Sequence, residues 1–341
     1  MTTNAALRIV VFGATGHLGQ QLIERLEESA LPIAGIEGVA SADSVGLDFT
    51  FRGDSFEVVS EWPVLKGRDL VFVCTPSAQA LEVVRESLRA EVPCIDCTGV
   101  VSDQEGVALL RTAAADFDAG ALAKAPLVAV PSGTALAWAP LLEALPVERV
   151  VATVLASASA RGRAGVVALS EESIALFNQQ STPQSGPAGQ AVAFDVIPGG
   201  GIDCARVEGE LRRLFGEAFA VGVASAQVPT FIGEGAALAI ELREPLTFET
   251  LRARLEAAAG LELVVEGPGS RGLQVVGEAG DDPIGPTLRD VVDRDSVLVG
   301  RIEPDRSKPE GLGWRLWLAF DPLRRVADEA VRLAERRLAP A

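Results

Sequence analysis

Three stretches of the sequence hold residue types at spacings that can do chemistry. Residues 127–142, LVAVPSGTALAWAPLL, read as a buried strand that stops at the tight turn Pro131-Ser132-Gly133-Thr134 and then enters an amphipathic helix. Enzymes often mount a nucleophile at such a turn, and Ser132 and Thr134 supply hydroxyls. The parts that activate a hydroxyl are missing: there is no G-x-S-x-G elbow, and the single histidine, His17, lies elsewhere in the sequence. The second stretch is PCIDCTG, in which Cys94 and Cys97 are spaced C-x-x-C. It reads as a buried strand, where positions three apart face opposite sides, and neither a second ligand pair nor a helix N-terminus supports a zinc or redox centre. The third is Gly13-Ala14-Thr15-Gly16-His17-Leu18-Gly19, between a first strand and a helix. Its glycines permit a tight turn and close backbone approach, and the helix N-terminus aims N–H groups at an anion, as in a dinucleotide pyrophosphate site. The bland alternative is a strand-to-helix turn whose ligand has been lost.

These residues need a scaffold, and the patterning supplies one. From Leu7 to about Val130, short β-branched runs (LRIVVFG, LVFVC, PCIDC, LVAV) alternate with helical stretches (LGQQLIERLEE, AQALEVVRESLRA), which predicts a parallel sheet covered by helices. From about Val147 longer strands (RVVATVLASAS, FAVGVASAQV, AALAIEL, SVLVGRI, WRLWLAF) are separated by helices such as VEGELRRLFG and FETLRARLEAAAG, an α+β region with a large mixed sheet. Asn178 to Gln190 is polar and rich in Gly, Pro, Ser and Gln, a surface loop, with strand-like AVAFDVI expected directly after it. The last helix, LRRVADEAVRLAERRLA, carries basic residues toward its C-terminal end, as the helix dipole favours.

Composition narrows the function classes. A chain of 341 residues predicts two domains, and 47 acidic against 30 basic residues give a net charge of −17. That charge repels phosphate backbones and anionic lipid, so neither nucleic acid nor membrane is an expected partner. No signal-peptide pattern and no apolar window of about 18 residues occurs, so the expectation is a soluble, cytoplasmic protein. Cys74, Cys94, Cys97 and Cys204 are then expected to stay reduced and pack as small core residues.

Over nearly its whole length the chain resembles the aspartate-semialdehyde dehydrogenase family. The landmarks, in order, are GATGHLG, VASADS with GLDFTFRG, LVFVC, IDCTG, AVPSGT, SASARGRAG, AFDVIP, VPTFIGE, VGRIEPD and LWLAFDPLRR. The resemblance implies an α/β fold with a Rossmann-type dinucleotide-binding domain, residues 1–130 together with 323–341. A second, α+β dimerisation and substrate domain with a mixed sheet, residues 131–322, follows from it. It also implies amino-acid biosynthetic chemistry, in which a cysteine thiolate attacks an acyl phosphate and NADPH reduces the thioester.

Carried over position by position, that machinery is altered. Gly133 stands where the family has its nucleophilic cysteine, and Glu234 where it has its general-base histidine. The arginine that would clamp a substrate carboxylate is Gln227, the phosphate-gripping arginine is Ser102, and the family's glutamine is Ala156. Asp203 and Arg206 remain as acidic and basic substrate-side positions. On the cofactor side, Gly13, Thr15, Gly16, His17, Leu18, Gly19 and Ser41 are the expected contacts. Asp43 replaces an arginine for the 2′-phosphate of NADP, and Pro322 replaces an asparagine near the nicotinamide. NAD or NADP is therefore expected to bind weakly or not at all, with NADP disfavoured. VAVPSGT and LASASARG match the Usg-type branch of the family, which lacks the cysteine turn.

The resulting expectation is a homodimer inactive in the original reaction, with a binding or regulatory role, open to mixed dimers with an active dehydrogenase. The alternative is an NAD(P)-dependent semialdehyde or other carbonyl oxidoreductase with a remodelled site, using Glu234 or Cys97. No metal site is expected.

Overall fold

The computed structural model describes residues 6–181, 190–264 and 285–338. The expected polar loop therefore lies mostly outside the described residues. The chain divides into two compact units, one running up to Gly133 and resuming at Leu323, the other spanning Thr134–Pro322.

The first unit is built on strands β1 (Leu7–Phe12), β2 (Ile33–Val39), β5 (Leu70–Val73), β6 (Cys94–Asp96), β7 (Ala108–Leu109) and β8 (Leu127–Ala129), with a separate hairpin of β3 (Asp48–Phe51) and β4 (Asp54–Glu57). The six strands form one sheet in the order β2-β1-β5-β6-β8-β7, and every pairing is parallel. All four residues of β5 are buried, the continuous apolar run of a strand covered on both faces. The helices are α1 (His17–Glu28), α2 (Ser77–Arg89), α3 (Ala119–Lys124) and α8 (Pro322–Leu338). Helix α1 turns Leu22, Ile23 and Leu26 inward. Pro322 occupies the first position of α8, where its missing N–H costs nothing and its fixed φ suits the helix.

Helix α8 is held to the first unit by polar contacts along its length. Arg25 pairs with Asp328 at 3.0 Å, the Thr112 amide donates to Glu329, and Arg337 donates to the carbonyls of Leu122 and Ala125. Buried Glu329 is raised above the ordinary carboxylate range chiefly by desolvation.

The second unit carries helices α4 (Gly133–Ala144, all but its first residue), α5 (Gly162–Phe177), α6 (Cys204–Phe215) and α7 (Phe248–Ala257). Its sheet of seven strands runs β10 (Ile197–Pro198), β11 (Ala220–Gln227), β9 (Val147–Ala156), β12 (Glu234–Leu242), β15 (Gly313–Phe320), β14 (Val297–Pro304), β13 (Leu261–Leu263). It is mixed: β11–β9 and β13–β14 are parallel, the other pairs antiparallel. Trp138, Leu141, Val207, Leu211, Leu251 and Leu255 from the helices pack with inward residues such as Val150, Leu238 and Leu316 in one core. The opposite side of the strands presents small residues to solvent, among them Val151, Ala237 and Ala239.

Two expectations fail here. Helix α4 is not amphipathic: every residue from Thr134 to Ala139 is buried, as are Leu141 and Leu142, so apolar side chains on all sides are what its position requires. The AVAFDVI segment is not a strand up to Val196. The amides of Val192 and Ala193 both donate to the buried Glu172 carboxylate, at 2.7 and 3.0 Å, and Phe194 turns to φ +62°. A side chain has taken the hydrogen bonds that a neighbouring strand would have offered.

Candidate functional site

In the first unit, the segment after β1 is shaped by contacts that only glycine allows. Gly13 has φ +87°, and a β-carbon there would lie 2.5 Å from the Cys74 carbonyl oxygen. A β-carbon on Gly19 would lie 2.1 Å from the Gly13 oxygen, so α1 rests directly on the loop. Gly16 caps α1, and the amides of His17, Leu18 and Gly19 precede the first bond of the helical ladder, Gln20 N–H to the Gly16 carbonyl at 2.9 Å. Backbone donors thus gather where a pyrophosphate would be received.

Hydroxyls extend this site. Thr15 Oγ1 lies 3.1 Å from Ser44 Oγ, which lies 3.4 Å from Ser41 Oγ, and Asp43 is exposed in the same short 3₁₀ turn, Ala42–Ser44. At the end of β5, Thr75 is buried with its Oγ1 unpartnered, and its amide nitrogen stands 2.9 Å from where a Gly13 β-carbon would be. A buried orphan hydroxyl beside a glycine cradle fits a ligand with polar groups at that point. The loop residues would hold the diphosphate of a dinucleotide, Ser41, Asp43 and Ser44 its adenosine ribose, and Thr75 a polar atom nearer the reactive end. Ser44 and Thr75 carry no sequence signal; the fold alone brings them to the loop.

The IDCTG turn also belongs to this unit. Asp96, fully buried, accepts from the Thr98 amide and hydroxyl at 2.8 and 2.6 Å and from the Val101 amide at 3.2 Å. Ser102, where the family would place a phosphate-gripping arginine, is buried in the same turn.

The second unit brings Gln227, Ala156 and Glu234 onto one line. Gln227 in β11 pairs with Ala156 in β9, which pairs with Glu234 in β12, which pairs with Phe320 in β15. Residues directly opposite in neighbouring strands share a sheet face at about 4.8 Å spacing, so Gln227, Ala156 and Glu234 form a transverse row roughly 10 Å long. All three are buried.

Each end of the row has found a partner. Thr134, in the first turn of α4, donates to Glu234 Oε2 at 2.8 Å. Burial pushes the Glu234 carboxyl up to about 7; the Thr134 bond and the charge of Arg206 act downward, and Asp321 acts upward. At the other end Arg161 Nε donates to Gln227 Oε1 at 2.6 Å. The centre is occupied by backbone. Gly201 has φ +92°, and a β-carbon on it would stand 2.3 Å from the Ala156 β-carbon; one on Gly200 would stand 3.0 Å from that of Gln227. The backbone of Gly201 thus lies directly against Ala156, and position 201 has no room for a side chain.

Asp203 and Arg206, expected on the substrate side, have local duties. Asp203 caps α6, accepting from the Arg206 amide at 3.0 Å, and Arg206 Nε lies 3.8 Å from the buried Glu210 carboxylate. Gly133 is buried and offers no side chain, whereas Thr134 beside it is committed to Glu234. No group of three potential metal ligands occurs among the described residues.

The profile "Semialdehyde dehydrogenase, NAD binding domain" matches residues 8–129, and "Semialdehyde dehydrogenase, dimerisation domain" matches residues 138–325. Aspartate-semialdehyde dehydrogenase of Legionella pneumophila is 26% identical over 346 residues, covering 96% of this chain and 95% of that protein. The USG-1 protein homolog of Azotobacter vinelandii is 28% identical over 349 residues, covering 97% of each. Among solved structures, aspartate semialdehyde dehydrogenase II of Vibrio cholerae, complexed with ASA, superposes with a TM-score of 0.82 at 25% identity, covering 97% of this chain and 98% of that one.

Proposed function

The chain belongs to the semialdehyde dehydrogenase family, and we propose that it is a cytoplasmic homodimer that no longer performs aspartate-semialdehyde dehydrogenase chemistry and serves as a binding or regulatory protein. The observation that carries this reading is the row itself. Where the family resemblance calls for glutamine, Ala156 is fully buried against the backbone of Gly201. Gly133, where the thiolate would stand, has no nucleophile, and acyl transfer through a covalent intermediate needs one. Losing several members of one catalytic unit removes most of its rate. The exposed small-residue side of the seven-stranded sheet, in the region matched by the dimerisation profile, supports the homodimer. Mixed dimers with an active dehydrogenase would use the same surface, and co-purification from cells expressing both chains tests for them.

Purified protein given aspartate semialdehyde, phosphate and NAD or NADP is expected to give no absorbance change at 340 nm. Turnover of about 1 per second would refute the reading.

A second reading is favoured by Glu234. A buried carboxyl at about 7 is matched to proton transfer near neutral pH, so this chain could act as an NAD(P)-dependent carbonyl oxidoreductase with Glu234 as base. Bound nicotinamide would supply hydride transfer; Glu234 would take or give the proton, with Thr134 fixing its orientation. Asp43 favours the ribose diol of NAD over the 2′-phosphate of NADP. Saturable NAD binding by calorimetry, lost in Gly13→Val, is the result this reading requires.

A further inference from the structure

The parallel sheet of the first unit brings together two cysteines that stand 23 positions apart in the sequence. The last paired residues of β5 and β6 are Val73 and Asp96, and the Cys97 amide donates to the Val73 carbonyl at 3.0 Å. Cys74 and Cys97 are the next residue of each strand, and side chains directly opposite in neighbouring strands share a sheet face; the Cys97 thiol donates to the Ile95 carbonyl at 3.9 Å. Neighbouring parallel strands run about 4.8 Å apart, inside the Cα separation of ~4.4–6.8 Å that a disulfide accepts. We propose that Cys74 and Cys97 are a redox-modification site, which a small disulfide such as oxidised glutathione converts to an intramolecular bridge beside the glycine loop.

The two sulfurs have different roles. Cys97 is buried, whereas Cys74 is half-buried. The neighbouring Cys74 side chain and burial push the Cys97 thiol well up, and Cys74 is the less buried of the two, so exchange begins at Cys74. The Cys74 thiolate attacks one sulfur of oxidised glutathione, that S–S bond breaks, and one glutathione thiolate leaves. Cys97 then gives its proton to solvent and attacks the Cys74 sulfur, expelling the second glutathione thiolate. The protein loses two electrons and two protons, and the glutathione disulfide becomes two glutathione thiols.

The other thiols are placed differently. Cys94 lies within β6 opposite Val71, three residues before Cys97, and Cys204 begins α6 in the second unit. The bridge would be felt in the glycine loop, because the Cys74 carbonyl and the Thr75 amide nitrogen are the atoms against which Gly13 packs.

The test is to incubate the folded full-length protein with oxidised glutathione, quench with acid, and titrate free thiols after denaturation. The count is expected to fall from four to two, with peptide mapping placing the bridge at Cys74–Cys97 and hydrogen exchange altered across Gly13–Gly19. Cys97→Ser is expected to stop at a glutathione adduct on Cys74, and Cys94→Ser and Cys204→Ser to form the bridge normally. Four remaining thiols, or a bridge mapped to another pair, overturns the assignment. A bridge that leaves exchange in the loop unchanged overturns the coupling to the glycine loop. Because no outcome depends on turnover of aspartate semialdehyde, this proposal and the functional one fail separately.

Discussion

The glycine loop of the first unit and the transverse row of the second differ in what they are made of. The loop is a backbone device: its donors are amides, and Gly13 and Gly19 are kept by contacts at 2.5 and 2.1 Å within their own unit. The row is a side-chain device on a rigid sheet, and its three positions hold glutamine, alanine and glutamate without disturbing the strand pairing. A site made of backbone cannot be lost without unfolding its surroundings. A site made of side chains can be replaced one residue at a time.

The sharpest way to break that contrast is Gly19→Ala. With backbone at 2.1 Å and nothing flexible to yield, it is expected to cost on the order of 4 kcal/mol in denaturant unfolding; a cost under about 1 kcal/mol would mean that the loop is not held as described.

Glu234→Gln tests the row. The Glu234 carboxyl binds its proton more tightly in the folded chain, at about 7, than in the unfolded chain, near ~4.3. Its contribution is therefore fully present below about pH 4 and is lost as pH rises through 7. Removing the titration is expected to stabilise the protein at pH 8 by on the order of 3 kcal/mol and leave it nearly unchanged at pH 4. Equal effects of the substitution at the two pH values would show that Glu234 does not titrate in this way.

Ala156→Gln drives a side chain into Gly201 and is expected to cost about 2 kcal/mol by overpacking. Combined with Gly133→Cys and Glu234→His, it is expected to leave aspartate semialdehyde unoxidised, with no change at 340 nm. Recovered turnover would show that the segment around Gly201 yields. The smallest effect belongs to Asp203→Ala, about 1 kcal/mol from the lost cap of α6. Asp203→Asn should restore most of it, whereas a purely electrostatic role would not be rescued by a neutral cap.

The sequence carried the periodicity of the fold better than its exceptions. β-branched runs such as LVFV announced a buried parallel strand, and the glycine spacing after β1 announced a turn into a helix. Helix α4 departs from the expected amphipathic pattern because amphipathicity is the rule for helices with a wet side, and this one has almost none. Residues 191–196 depart from the expected strand because the competitor for their amides, Glu172, is some twenty positions earlier in the chain. Gln227, Ala156 and Glu234 are singled out in the sequence only by the family resemblance. That Glu234 would meet a hydroxyl exactly 100 positions away, that Arg161 would come to Gln227, and that Gly201 would cover Ala156 are facts of tertiary packing.

Helix α8 gives the order of assembly during synthesis. The second unit is one continuous segment, complete once Pro322 has emerged, whereas the first waits for the helix carrying Asp328, Glu329 and Arg337. The segment made first is thus finished last, and until then Arg111 and the Thr112 amide lack Glu329. A released chain truncated after Pro322 is expected to protect the strands and helices of the second unit from protease while leaving the glycine-loop half digestible.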